Sequence, residues 1–99
     1  MMPQVEERLV RLSYELPPTP KAMAQYVTVR RTGNFLYTSG TGCFVDGKSV
    51  YQGRLGKELT IEEGREASRL TMLNLLSSIK NEIGSLDNIH QVVKVLGFV

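Results

Sequence analysis

The sequence predicts a small α+β domain, and three observations support this. A long helical pattern begins at Thr60, strand-like runs separated by turn signals fill residues 25–51, and an apolar β-type run ends the chain. At 99 residues the chain has room for one domain, so we assign residues 1–99 to a single unit. Because one helix cannot cover a mixed sheet of four or five strands, we expect a second helix or a neighbouring subunit to cover the rest.

The helix is predicted over residues 61–83. Thr60 and Glu63 stand in the S/T-x-x-E register of a capping box, and Glu62, Glu63 and Glu66 suit the positive end of the helix dipole. We therefore interpret these acids as a capped helix start and not as paired catalytic carboxylates. Gly84 follows as a C-terminal cap. The apolar face consists of Ala67, Leu70, Leu73, Leu76, Ile79 and Ile83, widened by Met72 and Leu75.

The first half of the chain predicts a short helix and two hairpins. Residues 3–13 carry apolar side chains at helical spacing, and the prolines of "LPPTPK" (residues 16–21) then interrupt regular structure. Residues 25–31 and 35–38 read as strands joined at Gly33-Asn34. Asp46-Gly47 predicts a second turn, between Phe44-Val45 and Val50-Tyr51.

The chain ends in an apolar run, "VVKVLGFV", over residues 92–99. Such a run fits a strand that is covered on both faces. A free carboxylate beside buried apolar residues is costly, so we expect the chain to be the N-terminal part of a longer domain. The alternative is an edge strand that ends at the surface.

Composition narrows the classes of function. The net charge is +2, and the basic residues are scattered, whereas a nucleic-acid binder concentrates them on one face. Cys43 is the single cysteine, which excludes an internal disulfide and suits a reducing compartment. No segment has the ~18 apolar residues of a membrane span, and the acidic N-terminus is unlike a signal peptide. We expect a soluble, cytoplasmic protein with no membrane partner, for which nucleic acid is a poor fit.

The stretch "TSGTG", residues 38–42, is the main candidate for a functional corner. Its glycines either let the chain turn after a strand, or let Ser39 and the backbone approach a small ligand closely. No His, Cys, Asp and Glu cluster stands at metal-ligand spacing, so we predict neither metal nor cofactor. Cys43 is interpreted as a packed residue and His90 as a loop residue. The corner lacks the Lys-Ser/Thr of a phosphate loop.

Four segments in order resemble the RidA family, also called the YjgF/YER057c/UK114 family. They are a proline-containing lead-in to Tyr26, the strand "GNFLYTSG" at residues 33–40, the helix segment Asn74-Leu75-Leu76, and "VVKV" at residues 92–95. The resemblance covers residues 16–99, with residues 1–15 as an amphipathic lead-in.

This resemblance implies a chorismate-mutase-like fold assembled as a homotrimer, with ligand sites between subunits. It also implies hydrolysis of reactive 2-imino acids or enamines to 2-keto acids and ammonia, without a cofactor. By motif position, Ser39 would be catalytic, and Tyr26, Ser39 and Gly40 would bind the imino or keto acid.

Some residues depart from the family pattern. Thr41 replaces the Gln that usually follows Ser-Gly, and Val27-Thr28 replaces Ser-Gln after the tyrosine. The family's carboxylate-binding Arg and water-positioning Glu lie beyond "VVKV", so we expect little deaminase activity from the 99 residues alone. Two alternatives stay open: a non-catalytic trimer that binds small carboxylates, and the "endoribonuclease L-PSP" activity ascribed to some relatives.

Overall fold

The structure is a computed structural model that describes residues 4–19 and 27–99. Its elements confirm the α+β class, and no helix within these ranges is both long and apolar enough to cross a membrane. In chain order they are α1 (Gln4–Arg11), β1 (Val29–Thr32), β2 (Phe35–Thr38), β3 (Phe44–Val45), β4 (Lys48–Ser49), α2 (Ile61–Ile83) and a 3₁₀ helix (Leu86–Asn88).

Helix α2 begins and ends where the sequence predicts. The Thr60 hydroxyl accepts from the Glu63 N–H at 3.1 Å, and the Glu63 carboxylate accepts from the Thr60 N–H at 3.0 Å. At the other end Gly84 has a φ of 83°, and its N–H donates to the Lys80 carbonyl. Local residues therefore set both ends of this helix: a side-chain cap at Thr60 and a backbone cap at Gly84.

The buried face of α2 is more polar than the sequence pattern indicates. Leu73 is buried, but so are Asn74, Ser77 and Ser78. Met72, which the pattern places at the edge of the apolar face, is 42% exposed. The polar side chains are tolerated because at least two of them donate to backbone carbonyls: Ser77 binds Pro17 O, and Asn74 binds two carbonyls described below.

The first hairpin confirms the predicted turn. Strands β1 and β2 are antiparallel with Thr32 opposite Phe35, so Gly33-Asn34 forms a two-residue loop. Gly33 has a φ of 59°, as the first central residue of a type II′ turn requires. The strand predicted over 25–31 is observed from Val29; residues 25 and 26 lie outside the described part of the chain.

The second hairpin has the predicted turn but a different return strand. Asp46 and Gly47 both have positive φ, the geometry of a type I′ turn. A two-residue loop places Lys48 opposite Val45, so β4 is Lys48–Ser49 and the expected strand at Val50-Tyr51 is wrong. Within the described residues the strands form two separate two-stranded sheets, and the larger mixed sheet is not formed there.

The C-terminal run does not form the predicted strand. Residues 90–99 carry no regular secondary structure, and the large apolar residues from Val92 to Val99 are each at least 67% exposed. A β-strand needs a hydrogen-bonded neighbour, and within the described ranges this segment pairs with neither of the two hairpins. The prediction of a covered strand is therefore wrong for this chain.

Helix α1 is held by residues from the other end of the chain. The Asp87 carboxylate accepts from the N–H groups of Gln4 and Val5, at 2.6 and 2.8 Å, and so caps α1. In return Glu6 Oε1 accepts from the Leu86 N–H at 3.2 Å. Glu6 is 4% exposed and Leu86 is 1% exposed, so this contact between α1 and the 3₁₀ helix is buried.

Candidate functional site

Ser39 lies directly after β2, where the first hairpin ends. Its N–H donates to the Thr28 carbonyl at 3.0 Å, which fixes the backbone beside the neighbouring strand. Its hydroxyl is 3.4 Å from the same carbonyl, a long hydrogen bond, and the residue is half-buried. A weakly held hydroxyl can turn toward a ligand, and its two lone pairs can accept hydrogen bonds.

The two glycines of the corner have different roles, and neither has a positive φ. A Cβ at Gly40 would meet no atom within 4 Å, so space is open beside Ser39. A Cβ at Gly42 would lie 2.9 Å from Cε2 of Phe44, so a ring lies where a side chain would be. Gly42 thus makes room for an internal aromatic ring, and neither glycine supplies a left-handed turn; the approach of a ligand at this corner stays a prediction.

Asn74 is the residue that the sequence reasoning missed as part of this region. It is 4% exposed on α2, and its Nδ2 donates to the carbonyls of Gly42 and Phe44 at 3.0 and 2.9 Å. Helix α2 is thereby hydrogen-bonded to residues 42–44, which follow Ser39 in the chain. A signal was present in the sequence, because an asparagine beside Leu73 interrupts the apolar face of a predicted helix.

The other sequence candidates are not gathered at Ser39. Tyr26 lies outside the described residues, so its predicted role is not tested. Cys43 is half-buried with its thiol 3.7 Å from the Tyr51 carbonyl, which fits a packed residue. His90, interpreted as a loop residue, is exposed and lies outside regular secondary structure. In the ranges 4–19 and 27–99, no group of three or more His, Cys, Asp or Glu side chains could hold a metal ion.

Two surface grooves adjoin Lys80 in the C-terminal half of α2. Each also includes residues that follow α1, and Ser39 lines neither. One, of about 460 Å³, is lined by Leu16, Pro17, Thr19, Ser77, Lys80, Asn81 and Gly84. The second, of about 400 Å³, also includes Leu16 and Lys80, together with residues of α1. The Lys80 ammonium lies 3.8 Å from Glu6 Oε1 at the boundary of both grooves. The grooves are therefore separate from the candidate site at residues 38–42.

Comparison with known proteins gives a family match over nearly the whole chain. Residues 6–99 match the model of the family described as "YjgF/chorismate mutase-like, putative endoribonuclease". Among curated proteins, "Protein TCP17" of Trypanosoma cruzi is 33% identical over 96 residues, covering 97% of this chain. The chain spans 60% of the length of that relative.

Two solved structures share the fold. A crystal structure from Shewanella oneidensis, described as a putative endoribonuclease, superposes with a TM-score of 0.82 at 39% identity, covering 88% of this chain and 58% of that one. The protein Atu1372 of Agrobacterium tumefaciens, described as having unknown function, has a TM-score of 0.78 at 31% identity. That match covers 90% of this chain and 54% of the Agrobacterium chain.

Proposed function

The chain belongs to the YjgF/chorismate mutase-like family, and from this membership we propose that the protein hydrolyses reactive 2-imino acids to 2-keto acids and ammonia. The observation that carries the proposal is the half-buried, weakly bonded hydroxyl of Ser39 beside the open space at Gly40. Because the chain spans only about three fifths of its relatives, the proposal concerns the protein that carries this chain.

Imine hydrolysis requires the protein to position water and substrate and to supply hydrogen bonds. A protonated imine carbon is electrophilic, so water adds to it, giving a carbinolamine. The carbinolamine then loses ammonia, and its oxygen becomes the carbonyl of the keto acid. The Ser39 hydroxyl can donate to the oxygen or accept from the imine N–H as the centre becomes tetrahedral. The missing Cβ at Gly40 lets substrate approach the backbone, and fixed geometry supplies an effective-concentration advantage.

The test follows hydrolysis of an imino acid made in the cuvette by an amino-acid oxidase, with purified protein added. We expect faster loss of imine than in buffer, and a drop of about tenfold or more for Ser39→Ala, since positioned donors at such centres are worth this much. Ser68→Ala is the matched control, because its hydroxyl donates to the Gly64 carbonyl within α2 and, among the described residues, makes no hydrogen bond with Ser39. Equal rates with protein and with buffer would overturn the proposal.

We also propose assembly as a homotrimer in the cytoplasm, with the site completed by a neighbouring subunit. The support is an uncovered hairpin face, on which Phe35 and Tyr37 are 54% and 62% exposed. Side chains two apart on a strand share a face, so the two rings form one apolar patch. Light scattering on the purified protein tests this, with the mass of three chains expected; a stable monomer at assay concentration would contradict it.

A second candidate function is binding or cleavage of single-stranded RNA. The observation that favours it is the same hairpin face, where Arg30 is directly opposite Tyr37. Directly opposed residues of an antiparallel pair share a face, and a cation beside exposed rings is an arrangement on which bases stack. Cleavage of an RNA oligonucleotide that disappears in Tyr37→Ala but not in Ser68→Ala, with the same mass by light scattering for both variants, would support this function over the deaminase.

A further inference from the structure

The side-chain amide of Asn74 has both of its donor hydrogens occupied by one segment of chain. Its Nδ2 lies 3.0 Å from the Gly42 carbonyl and 2.9 Å from the Phe44 carbonyl. These acceptors are 32 and 30 residues away in sequence, so the contact is tertiary and not a feature of the helix. At 4% exposure, the amide has no solvent to replace either partner.

The segment that Asn74 holds is the continuation of the candidate site. Ser39 is fixed on its N-terminal side by the hairpin hydrogen bond to Thr28. On its C-terminal side, Thr41 Oγ1 donates to the Ser39 carbonyl at 3.4 Å, and the next residue, Gly42, is bound by Asn74. The Phe44 ring occupies the space where Gly42 lacks a side chain, so the ring packs directly against the Gly42 backbone.

We propose that Asn74 is a positioning residue, which sets the location of the Ser39 hydroxyl by holding the carbonyls of Gly42 and Phe44 against α2. This inference rests on the proposed function for its kinetic consequence, but the positioning can be tested without it. The amide suits the task because it offers two donors from one nitrogen. An aspartate of the same shape, when ionised, offers none and would face two carbonyl oxygens.

The experiment compares Asn74→Asp with Glu6→Ala in the purified protein. Glu6→Ala is the control because it also removes a buried hydrogen bond to the backbone, but at Leu86, away from Ser39. We expect Asn74→Asp to lower kcat/KM by about tenfold or more, since displacing a reacting group by about 1 Å can cost on the order of a hundredfold. Glu6→Ala should stay within about twofold at temperatures where both variants are folded.

The pH dependence tests whether the missing donor causes the loss. As the pH falls, the carboxyl group introduced by Asn74→Asp becomes protonated and regains one donor, so the loss relative to wild type should shrink. A loss that Glu6→Ala shares would overturn the proposal. If Asn74→Asp does not fold, Asn74→Ala removes both donors without adding a charge and should lower kcat/KM in the same direction.

Amide chemical shifts of Ser39 and Gly40 give a readout that does not depend on activity. They should change in Asn74→Asp and stay at their wild-type values in Glu6→Ala. An inactive wild-type protein with changed shifts in Asn74→Asp would refute the deaminase function and support the positioning role. Unchanged shifts would refute the positioning role, whatever the activity.

Discussion

Replacing Glu6 by alanine should cost the protein about 2 kcal/mol of folding free energy. The change removes the acceptor of the Leu86 N–H, and both residues are almost fully buried. A buried donor left without a partner costs about 1–3 kcal/mol. The Lys80 ammonium adds little, because it is 3.8 Å from Glu6 and its side chain is 42% exposed, and such pairs contribute about 0–1 kcal/mol.

Thermal unfolding followed by far-UV circular dichroism measures this effect. For a domain of this size about 2 kcal/mol corresponds to a fall in Tm of roughly 8–16 °C. Glu6→Gln keeps a carbonyl acceptor for Leu86 and should lose less than about 1 kcal/mol. Glu7→Ala removes only an exposed ion pair with Arg11, and should change stability by less than about 0.5 kcal/mol. Equal Tm values for Glu6→Ala and Glu7→Ala would refute the reasoning. If Glu6→Gln were as unstable as Glu6→Ala, the charge of Glu6 would matter, and not its role as hydrogen-bond acceptor.

Three further substitutions test local features of the fold. Thr60→Ala removes the acceptor of the Glu63 N–H and should lower the unfolding free energy by about 1 kcal/mol in urea titrations; an unchanged midpoint would contradict it. Gly84→Ala places a Cβ at a φ of 83° and should cost about 1–2 kcal/mol in the same assay, although no neighbouring atom would clash. Asp87→Ala leaves the first amides of α1 uncapped, so hydrogen exchange should speed up in α1 and not in α2; equal protection in both proteins would contradict this.

The sequence predicts best the elements whose causes are local. The signals for helix α2 are the cap at Thr60, the glycine at Gly84 and the helical spacing of apolar residues between them. The observed bounds, Ile61–Ile83, agree with the predicted ones. The two hairpin turns are equally local, since a glycine or an Asp-Gly pair supplies the positive φ that each turn needs. The family resemblance rests on the order of such segments, and the match over residues 6–99 confirms it.

The sequence predicts worst the features that depend on a partner distant in the chain. The run from Val92 to Val99 has strand composition, but composition does not provide the neighbouring strand with which to pair. Asn74 can be buried on α2 because carbonyls some thirty residues earlier accept its hydrogen bonds. The helical spacing of apolar residues does not reveal such distant partners. Of the candidate site, the role of Ser39 was predicted by motif and stays a prediction, while the Asn74 contact to its segment became visible only in the structure.

The capping of α1 by Asp87 has a consequence for the order in which the protein is made. An eight-residue helix is too short to persist alone in water, and the carboxylate that caps α1 lies 83 residues further along the chain than Gln4. During synthesis, therefore, α1 leaves the ribosome well before the residue that caps it. The α2 helix carries its own caps and can form as soon as it emerges. Residues 4–11 can dock only after the 3₁₀ helix, Leu86–Asn88, has also been made.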